Sequence, residues 1–383
     1  MRSEVDFASS CILGMILGCA LAGNGDNLAC RKLLPFRWYN CGPMKAVRYH
    51  GPGQPFRLEE VERREPEPGE VLIQVTASGM CHTELHFRSG LLDLGVAPIT
   101  MGHEVVGRIA AVGDSVSPDR IDERVIVYYY LGCWECAYCR AGDEHLCPRL
   151  RAEYGFISDG GYAEYVTVPA RNAVPLPAGI SDVEAAPIGC GVTTAVHAMK
   201  IAEPRVGEWV LVYGIGGVGY GLLQLARAGG VRTIAVGRSA AKLDKALELG
   251  AEFVVNAADE PVTERIRDIT GGAGVDAVFE CVGTEESMRE ASVVLGRHGR
   301  LVFIGYSSDS FTVHPIQLVV FEQKISGAVG ATLNDLYEAV DLVARGAVRT
   351  VVGRTLPLEQ FESGLSALER GELVGRAVLV PDA

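Results

Sequence analysis

Four cysteines lie within fifteen residues of this 383-residue chain, and their spacing suits metal binding. They are Cys133, Cys136, Cys139 and Cys147, separated by two, two and seven residues. Such spacing lets one short lobe direct four thiolates at a single tetrahedral ion, with no open position for chemistry. The alternative is a disulfide framework, which fits an otherwise intracellular-looking sequence poorly. We therefore predict a structural zinc site in a lobe over residues 133–147.

A second set of candidate ligands is dispersed along the chain and could support catalysis. Cys81 begins the segment Cys-His-Thr-Glu-Leu-His, His103 stands in Gly-His-Glu, and Cys190 stands in Ile-Gly-Cys-Gly. One histidine and two cysteines fit a zinc site with an open fourth position. Zinc there would ease deprotonation of an alcohol and polarise a carbonyl. Taken alone, His103 and Cys190 read as buried core residues; the glycine-rich turn described next favours a metal site.

That turn follows the apolar segment Val210–Tyr213 and predicts a dinucleotide site. Its glycines allow a tight turn, a close approach to a pyrophosphate, and close packing of the next helix on the strand. The N-terminus of that helix offers free N–H groups and the positive end of its dipole to phosphates. Strand, turn, helix and second strand occur in the required order. The turn comprises Gly214, Gly216, Gly217, Val218 and Gly219.

The residues that end the second strand bear on the choice of nicotinamide cofactor. NAD sites place an acidic residue here against the ribose 2′-OH, whereas this chain has Gly237, Arg238 and Ser239. The glycine leaves space, and the guanidinium fork pairs with phosphate oxygens. We predict a preference for NADP(H) over NAD(H), with Lys242 in the same cofactor-binding set. The alternative is that Arg238 is only a solvated surface charge.

The predicted secondary structure changes once along the chain, from mainly strands to alternating strands and helices. Residues 44–168 show short strands and glycine turns with little helical period. From about residue 190, strands and helices alternate, which predicts βαβ units and a doubly wound parallel sheet. Cys281 is expected on one of those strands as a core thiol. Two short helical patterns and a final strand follow residue 331, and we expect this tail to return to the first domain.

Composition excludes several classes of function. Hydrophobic residues make up 48% and charged residues 22%, the profile of an ordinary globular protein. The net charge of −13 argues against a nucleic-acid partner. The sequence contains no apolar run of the length that spans a bilayer, and we expect a cytoplasmic protein.

Residues 1–43 differ from the rest. The apolar stretch Cys11–Ala22 is short, and Arg2 ahead of it is offset by Glu4 and Asp6, so a secretory signal is disfavoured. We interpret the segment as a disordered or mis-started extension, with a credible domain start at Met44. Four further cysteines fall inside it, at Cys11, Cys19, Cys30 and Cys41.

In this order the motifs resemble those of the zinc-dependent medium-chain alcohol dehydrogenases, from Met44 to near the C-terminus. The resemblance implies an α/β fold: a GroES-like β-rich catalytic domain over residues 44–191, a Rossmann domain over 192–330, and a return of residues 331–383 to the first domain. It implies hydride transfer between a nicotinamide and an alcohol, aldehyde or ketone carbon. It further implies two zinc ions per subunit and a homodimer or homotetramer.

The resemblance also implies roles for single residues. Cys81, His103 and Cys190 correspond to the catalytic zinc ligands, and Glu104 to a carboxylate that approaches the metal when ligands exchange. Thr83 corresponds to the hydroxyl that takes the alcohol proton.

Two histidines also correspond to family residues, and position 84 differs from the family pattern. His86 corresponds to the outer relay member, and His82 faces the cofactor phosphates; simple surface exposure is the alternative for both. The chain has Glu84 where the family has an aspartate that orients the ligand histidine, so that hydrogen bond is either re-formed or lost. Tyr129 is a candidate wall of the substrate pocket, or simply a strand aromatic.

Two other functions stay open at this point. A polyol or other secondary-alcohol dehydrogenase shares the zinc ligands and differs in pocket residues. A non-catalytic NADP(H)-binding sensor or structural protein predicts eroded ligands, and none of the three is eroded.

Overall fold

The computed structural model describes residues 42–381, so the interpretation of the N-terminal extension, and of its cysteines, falls almost wholly outside the described residues. Eighteen strands are described: β1 Met44–Tyr49, β2 Arg57–Val61, β3 Glu70–Gly79, β4 Ile99–Thr100, β5 Glu104–Val112, β6 Arg124–Val127, β7 Tyr130–Leu131, β8 Ala152–Glu153, β9 Tyr165–Pro169, β10 Ala173–Pro175, β11 Trp209–Tyr213, β12 Arg232–Gly237, β13 Phe253–Asn256, β14 Val275–Glu280, β15 Leu295–Phe303, β16 Lys324–Gly327, β17 Val352–Leu356 and β18 Arg376–Leu379.

The helices of the same region are short to medium in length, and none of them is long and apolar enough to cross a bilayer. They are α1 Thr83–Ser89, α2 Ala137–Ala141, α3 Asp182–Ala185, α4 Gly191–Ala202, α5 Gly217–Ala228, α6 Ala240–Glu248, α7 Val262–Ile269, α8 Glu285–Val293, α9 Pro315–Phe321, α10 Leu333–Ala344 and α11 Phe361–Glu369.

The first half of the described chain is β-rich. A seven-stranded sheet has the order β10-β6-β5-β3-β18-β17, with β9 also paired to β3. Strand β3 is buried on both faces over part of its length: Val71, Ile73 and Val75 on one face and Leu72 on the other are buried, since successive residues of a strand point to opposite faces. Strand β18 pairs antiparallel with β3, opposing Val378 to Gly79. The C-terminal segment therefore lies beside the residues that lead into Cys81.

The second sheet has six parallel strands in the order β13-β12-β11-β14-β15-β16. Strand β11 is buried along most of its length, as expected for a parallel strand covered on both faces. The strand order reverses between β11 and β14, and ligands of such sheets bind outside the carboxyl ends at that point. The predicted fold class, a β-rich domain with a doubly wound parallel sheet, is confirmed.

Helix α4 joins the two parts. Its Val192 and Val196 belong to the apolar core of the β-rich domain, while its Ala195 and Ala198 belong to the core of the parallel sheet. The residue just before this helix is Cys190. Both cores therefore fix the position of that thiol.

Two details differ from the sequence-based expectations. The β-rich region also contains helix α1, which has only seven residues and is too short to show a helical period. Cys281 was expected on a strand as a core thiol; β14 ends one residue earlier, at Glu280, while the partly exposed Cys281 does pack against the core of the parallel sheet. The strand ends there because the carboxylate of Glu280 accepts N–H bonds from Val282 and Gly283 and turns the chain.

Candidate active site

The four cysteines of the lobe converge. The sulfur atoms of Cys133, Cys136, Cys139 and Cys147 all lie within 4.8 Å of one another, and none of them forms a disulfide. The lobe is closed by helix α2 and a left-handed turn at Gly142. This geometry excludes the disulfide framework for these residues and fits a tetrahedral site with four thiolates.

Backbone N–H groups face these sulfurs. The N–H of Cys136 donates to the sulfur of Cys133 at 3.4 Å, and the N–H of Cys133 donates to the sulfur of Cys147 at 3.3 Å. Backbone donors, first that of Glu135, lower the pKa of Cys133 to about 6. Gly132 is needed here, because a Cβ on it would lie 2.7 Å from the sulfur of Cys139. The lobe thus favours the thiolate of Cys133, whereas burial raises the pKa of Cys139 to about 12.

The lobe also touches the C-terminal part of the chain. The carboxylate of Glu144, which is 3% exposed, accepts the N–H of Leu333 at 2.6 Å. That N–H belongs to the first turn of helix α10, whose donors have no partner within the helix. The lobe therefore caps a helix that is distant in sequence.

A second convergence brings together the dispersed candidates. Ligand atoms of Cys81, His103, Glu104 and Cys190 lie within 4.8 Å of one another. Cys81 follows β3, His103 immediately precedes β5, and Cys190 precedes helix α4. Since β3 and β5 pair along most of their length, they bring the first two ligands together, and α4 supplies the third.

The donor set fits a metal ion. Both ring nitrogens of His103, which is 1% exposed, lack a hydrogen-bond partner. Burial opposes protonation of that ring, yet the neighbouring Cys81 thiolate and the carboxylates of Glu84 and Glu104 raise the pKa of His103 to about 9. A hydrogen bond from Cys190 lowers the pKa of Cys81. The site therefore attracts positive charge, which a zinc ion would supply.

Glu84 occupies the place of the aspartate found in the family, and its carboxylate is wholly buried. Its Oε2 accepts the N–H of Cys81 at 2.8 Å, and its Oε1 lies 3.8 Å from Nδ1 of His103. The hydroxyl of Tyr162 donates to the same Oε1 at 3.0 Å. Burial raises the pKa of Glu84 to about 7. The carboxylate faces the histidine but is beyond hydrogen-bonding distance of it.

Arg376 lies in the site and was not foreseen from the sequence. It is 7% exposed, and its Nη2 lies 2.8 Å from Oε1 of Glu104. A Cβ on Gly217 would lie 2.7 Å from its Nε. The guanidinium thus stands between the metal cluster and the glycine-rich turn. Burial raises the pKa of Glu104 to about 7, and the charge of Arg376 opposes that rise.

The glycine-rich turn has the expected geometry. Gly214 has φ +100°, and a Cβ on Gly219 would lie 2.5 Å from the carbonyl oxygen of Gly214, so both must be glycine. Gly216 faces open space and precedes helix α5, which has no side-chain cap on its first N–H groups. Val218 is partly buried against the core. The helix N-terminus is therefore free for phosphate groups.

The residues after β12 form a basic cluster. Arg238 is exposed and Ser239, the N-cap of helix α6, makes no side-chain cap bond. Partial burial and the charge of Arg238 lower the pKa of Lys242, so the two cations are close enough to repel each other. Gly237 has room for a small side chain, since a Cβ there meets only ordinary contacts of 3.4 Å or more.

The proposed relay residues lie at the edge of the metal cluster. The hydroxyl of Thr83 donates to the sulfur of Cys81 at 3.5 Å. His86 is partly exposed, and its ring centroid lies 4.7 Å from that of Tyr306 and 5.6 Å from that of His82. His82 is in contact with solvent but its surroundings desolvate it in part. This desolvation, and then the nearby charges of Arg376 and Lys242, lower its pKa against an opposing contribution from Cys81.

Aromatic rings surround the metal-site histidine. The ring centroid of Tyr129 lies 5.3 Å from that of His103, and the centroid of Phe156 lies 4.9 Å from it. Tyr129 and Phe156 are stacked at 5.8 Å. Tyr129 is buried and packs against the metal-site histidine, and its role as a wall of the substrate pocket stays a prediction.

Comparisons with known proteins agree with this geometry. The family model for an alcohol dehydrogenase GroES-like domain matches residues 67–178, and that for a zinc-binding dehydrogenase matches residues 217–345. An alcohol dehydrogenase of Geobacillus stearothermophilus is 36% identical over 338 residues, which cover 88% of this chain and 98% of the relative.

Two further relatives extend the similarity to another sequence and to a solved structure. The NAD-dependent alcohol dehydrogenase of Sulfurisphaera tokodaii is 34% identical over 348 residues, covering 88% of this chain and 100% of the relative. The crystal structure of the Aeropyrum pernix alcohol dehydrogenase superposes with a TM-score of 0.83 at 32% identity, over 88% of this chain and 100% of that one. Similarity at this level along nearly the whole length of each relative means that the chain belongs to the zinc-dependent medium-chain alcohol dehydrogenases, as an NAD(P)-dependent zinc enzyme.

Proposed function

We propose that the enzyme prefers NADP(H) and transfers a hydride between its nicotinamide and an alcohol or carbonyl carbon at the dispersed metal cluster. The observation that carries this proposal is the contact between the two sites. Cys190 is followed by Gly191, and a Cβ on Gly191 would lie 3.4 Å from the backbone of Gly217 in the dinucleotide turn. A substrate held at the cluster would therefore lie near a cofactor held at the turn.

The residues that would hold the catalytic zinc are Cys81, His103 and Cys190. The buried, unpartnered nitrogens of His103 and the low pKa of Cys81 support this assignment. Bound zinc supplies Lewis-acid polarisation of a substrate oxygen. The lobe cysteines would hold a second, structural ion. We assign Glu104 a role in ligand exchange, restrained by Arg376.

The proton route begins at Thr83. Its hydroxyl is buried beside Cys81, so it is placed to accept the proton of an alcohol that binds at the cluster. His86 is the partly exposed group nearer to solvent, and imidazole is suited to this transfer because its ordinary pKa lies near neutrality. Partial burial, together with the charge of His82, lowers the pKa of His86, which favours release of the proton to water.

The cofactor phosphates would lie on the N-terminus of α5, beside Arg376 and His82. The preference for NADP(H) rests on the basic cluster of Arg238 and Lys242, with the Ser239 hydroxyl available to the same 2′-phosphate. Two neighbouring cations repel each other, and a phosphate bound by both would relieve that repulsion. Although the Sulfurisphaera tokodaii relative is named as NAD-dependent, the residues of this chain favour the phosphorylated cofactor.

A matched pair of cysteine variants tests the catalytic assignment. We expect the Cys190→Ser enzyme to lose one of its two zinc ions. It should also lose the oxidation of alcohol with NADP⁺, which is measured as the rise in nicotinamide absorbance. The control is Cys281→Ser. Cys281 is also partly exposed but belongs to neither metal cluster, so this variant should keep both zinc ions and the activity. A Cys190→Ser enzyme that retains two zinc ions and its activity would contradict the proposal.

Cofactor preference is tested separately, by titrating zinc-loaded enzyme with NADPH and with NADH while following nicotinamide fluorescence. We expect clearly tighter binding of NADPH, which would also favour carbonyl reduction as the working direction. Tighter binding of NADH would refute the phosphate pocket and leave the zinc assignment untouched.

We also propose that a second copy of the chain pairs along the outer edge of the parallel sheet. Strand β16 has a neighbour on one side only among the described strands. Helix α9 beside it exposes Ile316 at 65% and Val319 at 75%. An open strand edge flanked by apolar side chains is typical of an interface. Sedimentation velocity should show Val319→Asp shifted toward monomer, whereas Val206→Asp, at a valine that is 81% exposed elsewhere, should sediment as wild type.

A further inference from the structure

We propose that Tyr162 is a positioning residue for the metal-binding histidine, acting through Glu84. This inference rests on the proposed role of His103 as a zinc ligand. Tyr162 is wholly buried. Its hydroxyl lies 3.0 Å from Oε1 of Glu84 and 2.9 Å from the carbonyl oxygen of Gly79. Its single proton lies between these two acceptors, so the hydroxyl is a shared, neutral donor placed against the carboxylate that faces the histidine.

The glutamate at position 84 creates the need for this donor. Glutamate has one more rotatable bond than the aspartate expected from the family, so its carboxylate is less constrained. One end is fixed by the backbone, because Oε2 accepts the N–H of Cys81 at 2.8 Å. The other end, Oε1, faces Nδ1 of His103 at 3.8 Å. Within the described residues, the hydroxyl of Tyr162 is the hydrogen-bond donor observed on Oε1.

Tyr162 is itself held against the backbone that carries the ligand. Its N–H donates to the carbonyl of Met101 at 2.8 Å. Gly102, the residue before His103, has φ +97°, and a Cβ there would lie 2.5 Å from the Tyr162 ring. The ring of Phe361 packs on it at 5.4 Å. One rigid side chain thus touches both the carboxylate and the peptide next to the histidine.

These contacts give Tyr162 a defined effect. With Oε2 and Oε1 both held, the carboxylate keeps one oxygen 3.8 Å from Nδ1. Its negative charge there favours a proton on Nδ1 and leaves Nε2 for the metal. Groups outside the ligand set commonly fix the ring orientation and tautomer of a metal-binding histidine, and Glu84 is placed to do so through its charge. Without the hydroxyl, Oε1 is free to rotate away from the ring, and the orientation of His103 is no longer fixed.

The test compares Tyr162→Phe with Tyr49→Phe. Both tyrosines are buried in the same apolar cluster, and the hydroxyl of Tyr49 donates to a backbone carbonyl, that of Phe87, at 3.1 Å. Each variant therefore loses one buried hydroxyl. Zinc release from fully loaded enzyme is followed with a chromogenic chelator, and the ligand field is read from the visible bands of cobalt placed in the catalytic site.

We expect Tyr162→Phe to release one zinc ion about tenfold faster and to shift the cobalt bands, with the lobe zinc unchanged. Tyr49→Phe should do neither. Glu84→Gln keeps the shape of the side chain but removes its charge, and it should shift the cobalt bands as well. This variant replaces Tyr162→Phe in the test if Tyr162→Phe fails to fold. The inference would be overturned if Tyr162→Phe, or Glu84→Gln, released zinc at the wild-type rate and kept the wild-type cobalt bands. The proposed function fails on a different result, namely zinc release that does not respond to Cys190→Ser.

Discussion

Replacing Gly237 by aspartate should convert the cofactor preference of this enzyme. Gly237 ends strand β12, and a Cβ there would lie 3.4 Å from Leu243 and 3.7 Å from Ile215. These are ordinary contacts, and the glycine does not have a left-handed φ, so a Cβ can be added here without backbone strain. Its carboxylate would stand where NAD enzymes bind the ribose 2′-OH. It would also lie next to the cation of Arg238.

The size of the effect follows from the charges involved. A hydrogen bond between the new carboxylate and the 2′-OH contributes about 1.5–3 kcal/mol to NADH binding. Repulsion of the 2′-phosphate and neutralisation of Arg238 cost NADPH a similar amount. Because Arg238 is exposed, salt screens part of both terms, and we take the lower end of the range, about 3 kcal/mol in all. That corresponds to a change of about 100-fold in the ratio of the two dissociation constants.

The assay is the paired fluorescence titration with NADPH and NADH, made at two salt concentrations. Gly42→Asp adds the same charge at a glycine whose Cβ would meet nothing within 4 Å, and should leave the ratio unchanged. A Gly237→Asp enzyme whose ratio stays within about threefold of wild type, a difference of under 1 kcal/mol, would refute the reasoning. The basic cluster would then be a solvated surface.

Three further predictions follow from other contacts. Arg376→Leu should weaken both cofactors alike, by about 10–100-fold from the loss of one charged hydrogen bond, and should leave their ratio intact in the same titration; a changed ratio would contradict its position at the pyrophosphate. Gly132→Ala places a Cβ 2.7 Å from the sulfur of Cys139, and after mild chelation the enzyme should retain one zinc ion rather than two by elemental analysis. Burial opposes ionisation of Asp335, but hydrogen bonds from a histidine and a lysine of α4 lower its pKa, so its ionised form stabilises the fold above about pH 4 and that contribution is lost as the pH falls. Asp335→Asn should lower the free energy of unfolding by about 1.5–3 kcal/mol at pH 7, with a shallower loss toward acid in urea titrations; parallel pH profiles would contradict this.

The metal clusters and the dinucleotide turn could be foreseen because each depends on residue type and spacing. The lobe cysteines are close in sequence, and their convergence needs only one short helix and two turns. The dispersed set is harder, since Cys190 lies far along the chain from Cys81. Its assignment came from the resemblance to a family, and the structure brings its ligand atoms within 4.8 Å.

Arg376 and Tyr162 could not be found in this way. Arg376 reaches Glu104 only because β18 inserts next to β3, and no local pattern specifies that pairing. Tyr162 reads as one more strand-edge aromatic until its hydroxyl is seen against Glu84. The sequence showed that glutamate replaces the family aspartate at position 84, but it could not show which group contacts the carboxylate of Glu84.

The pairing of β18 with β3 also has a consequence for biosynthesis. Residues that complete the sheet of the β-rich domain leave the ribosome after the whole parallel sheet has been made. The zinc ligands are therefore synthesised well before the arginine that stands between the metal and the cofactor. Contacts between such distant parts of a chain slow folding. A nascent chain that stops short of Arg376 would carry its thiols without their counter-charge, so the productive site assembles only once the C-terminal strand has docked.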